Sequence, residues 1–380
     1  MKKHGFVLPN FQNSLVNLAA TISQFLGNKP KFPILPELAQ KLNHQNKNLV
    51  YLVIDAMGTK ILEKHLPATS FLRRHQIKTI TSVFPSTTAS ATTSLITGQS
   101  ASMHGWFDWA LNFDGVVVEV FRNRNYYTKE YLTDPDFIRK KLPYQCFWET
   151  ATVHRKNYTV FPGFCYRNSV SDNLAYKNTN EMFRVLHKTC REPGQKFIYT
   201  YFSEVDSVMH HAGTNSGKVR RILKKLDRKI ARLVKRNPDT KFVITADHGH
   251  IDIKDYIFIN EDQAVMDCLA QPMSWEPRAI CFKIKPGSDD QFKKAFSKYA
   301  DDYTLFATDE LISQGLFGET KIKPAFRKLM GDYIAVGTDT CKIMVLKNVT
   351  PKEKKKLHRS IHGGMTPDEM HVPVIVAGGE

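Results

Sequence analysis

Short apolar runs alternate with helical stripes along most of the chain. Residues 48–54 (NLVYLVI), 77–84, 158–161, 197–202, 242–245 and 372–376 are rich in β-branched and aromatic side chains and predict strands. Between them, residues 14–26 place Leu15, Leu18, Ala19, Ile22, Phe25 and Leu26 at helical spacing, with Asn13 or Ser14 as a cap and Gly27 as the stop. The clearest helix covers 216–236, where Val219, Ile222, Leu223, Leu226, Ile230 and Leu233 form one apolar stripe. Strands alternating with helices predict an α/β fold, a mostly parallel sheet covered on both faces. Pro85 ends the second run, and the small residues that follow as far as Gly98 predict a buried helix whose amino end points back at the sheet edge, with Thr88 at that end.

The pattern changes between 263 and 346. ICFKI (280–284) and CKIMVL (341–346) predict strands of a separate small sheet, with helices at 289–299 and 309–314 between them. This stretch reads as an inserted α+β lobe, leaving 1–262 and 347–380 as the core. A length of 380 residues and an apolar share of 42% suit one large core with such an insertion. The six cysteines have no C-x-x-C spacing, which predicts reduced thiols. Pro9, Asn10, Gln12 and Asn13 interrupt the start before an apolar leader segment can form, and no run approaches the roughly 18 apolar residues of a membrane span. The expectation is a soluble, cytoplasmic protein. A formal charge of +17 predicts attraction to anions, with the denser basic stretches at 218–236 and 352–359 reading as solvated helix faces.

Polar residues with metal-binding chemistry stand at the ends of the predicted strands. Asp55 follows the first run; Asp206 and His210, four apart in SEVDSVMHH, follow another and share one face of a helical turn. TADHGH (245–250) delivers Asp247 and His248 into a turn at Gly249. IHGG (361–364) brings His362 beside two glycines, with His358 and, more weakly, His371 as competitors. In FPSTT (84–88) a hydroxyl is the sole nucleophile on offer, and a free alcohol needs activation at neutral pH. Together these pieces offer six Asp/His ligands and one hydroxyl, the inventory for two divalent ions around a phosphate.

In their order and spacing, VIDAMG, FPSTTASATTSLITG, HGW, VDSVMHHAG, TADHG and HGGMTPDEMHVPVIVAG resemble the type I phosphodiesterase and nucleotide pyrophosphatase group of the alkaline phosphatase superfamily. The resemblance implies a three-layer α/β/α sandwich and hydrolysis of a phosphodiester or pyrophosphate bond in a small, nucleotide-like substrate. It also implies that Asp55, Thr88, Asp247 and His248 bind one ion, that Asp206, His210 and His362 bind the other, and that Thr88 is the nucleophile of a phosphothreonine-type intermediate. Zinc is the ion usual in the family, and manganese suits the same ligands.

One departure concerns Ala91, which stands where many relatives carry an Asn that donates to a phosphate oxygen. Backbone N–H groups at the helix start, Thr92 or another loop would have to replace it. The alternative readings are another chemistry of the superfamily, such as phosphomonoester hydrolysis, phosphonate cleavage or a phosphomutase, and a non-catalytic protein that binds nucleic acid through its basic surface. The complete ligand set argues against the last, and no specific nucleic-acid partner is expected.

Overall fold

A computed structural model describes residues 5–163, 172–354 and 356–379. Seven strands form the central sheet: β1 Asn48–Ile54, β2 Gln76–Thr81, β3 Lys156–Pro162, β4 Asp172–Tyr176, β5 Lys196–Phe202, β6 Thr240–Thr245 and β7 His371–Ala377. Their spatial order is β2-β7-β6-β1-β5-β3-β4. β7 runs antiparallel to both of its neighbours, and the remaining pairs are parallel. Every residue of β1, β5 and β6 is buried, as expected of strands covered on both faces.

The covering helices form two packed groups. In one, α1 Leu15–Phe25 lies against α2 Thr88–Thr97. In the other, α5 Gly217–Arg236 contacts α3 Thr179–Arg191 and α4 Glu204–Ala212. α5 buries Val219, Leu223, Leu226, Ile230 and Leu233 and leaves most of its Lys and Arg residues toward solvent, so its charge is a helix face. α2 is buried almost all round, which its Ala, Ser and Thr side chains permit.

Three sequence expectations shift. The second strand ends at Thr81, three residues earlier than the apolar run, because Phe84-Pro85 leaves the sheet. β4 carries no apolar run and forms as an edge strand beside β3. In the 263–346 region, Ala279–Phe282 pairs antiparallel with Ser274–Glu276 and Tyr333–Gly337, and Tyr303–Ala307 adds beside the latter. Lys342–Met344 instead pairs with Asp255–Ile257 in a separate ribbon. The five cysteines among the described residues are free; Cys165 lies outside them. No helix of the described residues is long and apolar enough to cross a membrane.

Two features position the site. In-register pairing of β1 with β5 and β6 brings their carboxyl ends to one sheet edge, so Asp55, Asp206 and Asp247 emerge together. The four-stranded sheet then packs onto this edge through a shared apolar cluster, in which Trp275 stacks on Phe107 at 5.8 Å and meets Phe317 edge-on at 6.2 Å.

Candidate metal centre

Asp55, Asp247 and His248 converge in the first of two clusters. His248 Nε2 lies 3.5 Å from Asp55 Oδ1, 3.6 Å from Asp247 Oδ2 and 3.2 Å from Thr88 Oγ1. The backbone and a tyrosine hold the two carboxylates. Asp247 Oδ1 accepts the Ala56 and His248 N–H groups, each at 3.0 Å, and Tyr201 donates its hydroxyl to Asp55 Oδ2. Asp55 Oδ1 and Asp247 Oδ2 are left buried with no hydrogen-bond partner. Gly249 is required here by close approach: a Cβ would stand 1.9 Å from the Asp368 carbonyl oxygen.

The second cluster gathers Asp206, His210, His250 and His362. His210 Nδ1 contacts the Ser360 carbonyl at 2.9 Å and His362 Nδ1 the Ser86 carbonyl at 3.2 Å. As N–H donors, these nitrogens leave each Nε2 lone pair free toward Asp206. The His248 and His362 rings stack at 3.8 Å and 21°, joining the two clusters.

Electrostatics mark both clusters as cation sites. Burial, reinforced by Asp247 and Asp206, pushes the Asp55 carboxyl well above its ordinary range. Burial alone would raise Asp206 too, but His210, His250 and His362 hold it well below. His210 is raised by Asp206 in spite of burial, whereas burial lowers His250 to about 4 and His362 well below the imidazole range. Two buried carboxylate oxygens without partners, 3.5 and 3.6 Å from His248 Nε2, are what a divalent ion would satisfy. The donor set fits two such ions.

All seven residues named from the sequence therefore come to one place. Thr88 is partly exposed at the start of α2, while Thr87 is fully buried and donates its hydroxyl to Glu276 Oε2. His358 packs its ring 4.3 Å from that of His210, outside the cluster, and its pKa falls to about 3 through burial. His371 opens β7 and is not in either cluster. Thr92 donates to the Thr88 carbonyl at 2.6 Å, so that hydroxyl proton is already engaged.

Sequence reasoning missed three residues. His250 stands two positions after His248, in the same TADHGH string, and that spacing was a usable signal. Tyr201 sits inside an apolar strand and gave none. Glu276 ends the strand Ser274–Glu276 of the four-stranded sheet and reaches Thr87 across 189 residues of chain; burial raises its carboxyl, opposed by Thr87, His210 and His248.

Solved structures share this architecture. Human ectonucleotide pyrophosphatase / phosphodiesterase 5 aligns with a TM-score of 0.64 at 16% identity, covering 87% of each chain. The murine protein aligns at 0.62 and 14%, covering 87% of this chain and 88% of its own, and an inactive form of it has been solved in complex with AMP. Phosphonoacetate hydrolase from Sinorhizobium meliloti 1021, in complex with phosphonoformate, aligns at 0.60 and 17%, covering 87% and 90%. At these identities the likeness establishes the fold, the alkaline phosphatase-like α/β/α sandwich. Among curated proteins none matches the sequence significantly. The sequence profile of the type I phosphodiesterase / nucleotide pyrophosphatase family, however, matches residues 49–328, and the chain belongs to that family.

Proposed function

We propose that the chain is a metal-dependent phosphodiesterase or pyrophosphatase acting on a small, nucleotide-like phosphate through a covalent ester on Thr88. Asp55, Thr88, Asp247 and His248 would hold one divalent ion, and Asp206, His210 and His362 the other. Ions bound there supply two things: a lowered pKa for the hydroxyl and for water, and neutralisation of charge on the phosphoryl oxygens.

The observation that carries the reading is the placement of Thr88. Thr88 is partly exposed at the amino end of a ten-residue helix, its hydroxyl 3.2 Å from His248 Nε2, the same nitrogen that lies 3.5 and 3.6 Å from the two carboxylate oxygens that lack partners. In the first step the Thr88 oxygen attacks phosphorus, the bond to the leaving oxygen breaks, and a phosphothreonine ester remains. Water then hydrolyses that ester. Thr87, the N-cap of α2, makes no side-chain cap bond, so its side chain leaves the first N–H groups of the helix uncapped, and they would serve nonbridging phosphate oxygens in place of an Asn at Ala91.

Glu276 favours diesters. It sets a carboxylate against Thr87, next to the nucleophile, where the second negative charge of a monoester would be repelled. The test is a substrate panel on metal-reconstituted protein: bis-p-nitrophenyl phosphate, p-nitrophenyl phosphate, a nucleotide p-nitrophenyl ester and phosphonoacetate. The highest kcat/KM on a diester is expected. A higher value for the monoester or for phosphonoacetate rejects the diesterase reading.

A further inference from the structure

The second cluster holds one protein donor more than a catalytic zinc site uses. Asp206 Oδ1 lies 3.2 Å from His250 Nε2, 3.3 Å from His210 Nε2 and 3.7 Å from His362 Nε2. Ligand atoms of all four residues fall within 4.8 Å of one another. Donors about 2.1 Å from a common ion stand roughly 3.0 to 3.4 Å apart when adjacent, so His250 is placed as well as the two histidines named from the sequence. Its ring centroid lies 4.7 Å from that of His210 and 5.3 Å from that of His362.

The backbone holds this ring in position. Gly249 N–H donates to the Glu369 carbonyl at 2.7 Å and His250 N–H to the Asp368 carbonyl at 3.1 Å, so the segment after His248 is pinned against residues 368 and 369. The His250 side chain is completely buried, and its Nδ1 has no hydrogen-bond partner. Its one polar contact through Nε2 is with Asp206, inside the cluster.

We infer that His250 is a fourth protein ligand of the second ion, and that the working ion there is five- or six-coordinate, of the Mn2+ or Fe2+ class, rather than tetrahedral Zn2+. Four protein donors fill a tetrahedral zinc, as they do in structural zinc sites, and leave no position for a phosphate oxygen or water. Imidazoles suit iron and a carboxylate suits manganese, and both ions accept further ligands beyond four. Zinc would still bind the Asp/His3 set; it would close it. The first cluster, with two carboxylates, one imidazole and the Thr88 hydroxyl, is not constrained in this way. The need for an open position rests on the hydrolase reading above, while the ligand assignment rests on geometry alone.

The test uses the full chain loaded separately with Mn2+ and with Zn2+, with inorganic phosphate as probe. Anomalous diffraction is expected to place the second ion about 2.0 to 2.3 Å from His250 Nε2 in both forms. A phosphate oxygen or water should complete the manganese shell and be missing from the zinc shell. In calorimetry the manganese form should bind phosphate more tightly, by about tenfold or more, the worth of one charge-assisted contact. His250→Ala, or His250→Gln if the alanine variant does not fold, should restore phosphate binding to the zinc form. An ion more than about 3 Å from His250 Nε2, with that nitrogen donating to Asp206 instead, overturns the ligand assignment. Phosphate bound equally to the zinc form, or no gain in the variant, overturns the choice of ion. A correctly liganded His250 in a protein that cleaves no phosphodiester would instead sink the hydrolase reading and leave the ligand standing.

Discussion

Arg278 and Glu369 form a two-pronged ion pair with both side chains completely buried, Nε to Oε1 at 3.0 Å and Nη2 to Oε2 at 2.9 Å. Arg278 lies two residues from Glu276, in the lobe hairpin that reaches Thr87. Glu369 also accepts from Gly364 N–H and from the Thr366 N–H and hydroxyl, which closes the loop that carries His362. The pair therefore ties the lobe to the metal centre. Breaking one side, as in Arg278→Met or Glu369→Gln, leaves a buried group uncompensated and should cost about 3 to 5 kcal/mol. Denaturant unfolding measures it. A loss below about 1 kcal/mol would mean that water replaces the pair.

Thr88→Ala should abolish turnover while metal content, read by elemental analysis, stays near that of the parent, because every carboxylate and imidazole of the two clusters remains. Thr87→Ala removes only the hydroxyl that Glu276 accepts, so activity should fall by about tenfold or less. The reverse ranking would move the nucleophile by one residue.

Five of the six Asp/His ligands were legible because they follow apolar runs whose ends are plain in the sequence: NLVYLVI stops at Asp55, and KFVIT stops two residues before Asp247; His362 was marked instead by the two glycines after it. Parallel register then brings those ends together without further instruction. Glu276 and Arg278 were not legible, since SWEPR carries no local signal and their partners lie 189 and 91 residues away. The run at 372–376 predicts β7 as a strand, but its antiparallel direction is a matter of topology that periodicity does not encode.

Tyr201 donates to Asp55 Oδ2 and so aims the other oxygen at the cluster. Tyr201→Phe keeps the ring and removes the donor, and loss of such an orienting partner typically costs about 10- to 100-fold in metal affinity. The loss should fall on the first ion, seen as one weakened site in a two-site titration. Equal weakening of both sites, or of neither, would contradict the assigned geometry.

Metal binding should release protons and stabilise the fold more as pH rises. In the metal-free protein the raised Asp55 carboxyl opposes folding once pH exceeds its unfolded value, about 3.9. His210, raised by Asp206, stabilises fully below about 6.5, and that contribution is lost as pH climbs through its folded pKa. Asp206, held low, contributes above its unfolded pKa and loses that only in strong acid. His250, His362 and His358, lowered by burial, act the other way and add stability as pH rises toward about 6.5. The effect of the ions is therefore read in the difference between loaded and metal-free protein, where binding displaces the protons held by Asp55 and His210. A difference in Tm between loaded and metal-free protein that grows between about pH 5 and 8 is expected. A difference independent of pH, with no proton release in paired-buffer calorimetry, would rule this out.

Glu276→Gln tests whether the lobe sets the choice between ester classes. The carboxyl group accepts from Thr87, one residue before Thr88, and its charge would act on the phosphate that Thr88 would attack. A monoester dianion carries one more negative charge than a diester. At an effective dielectric of about 20 and several Å, one charge pair is worth roughly 2 to 3 kcal/mol before the ions screen it. Screening reduces this, so the ratio of kcat/KM for p-nitrophenyl phosphate to that for bis-p-nitrophenyl phosphate should rise about tenfold in the variant. The amide keeps its size and can still accept from Thr87, so the fold and the Thr88 position should persist, and unchanged metal content would confirm it. A ratio that stays flat would show that ester preference is set elsewhere, by the open end of α2 or by the ions themselves.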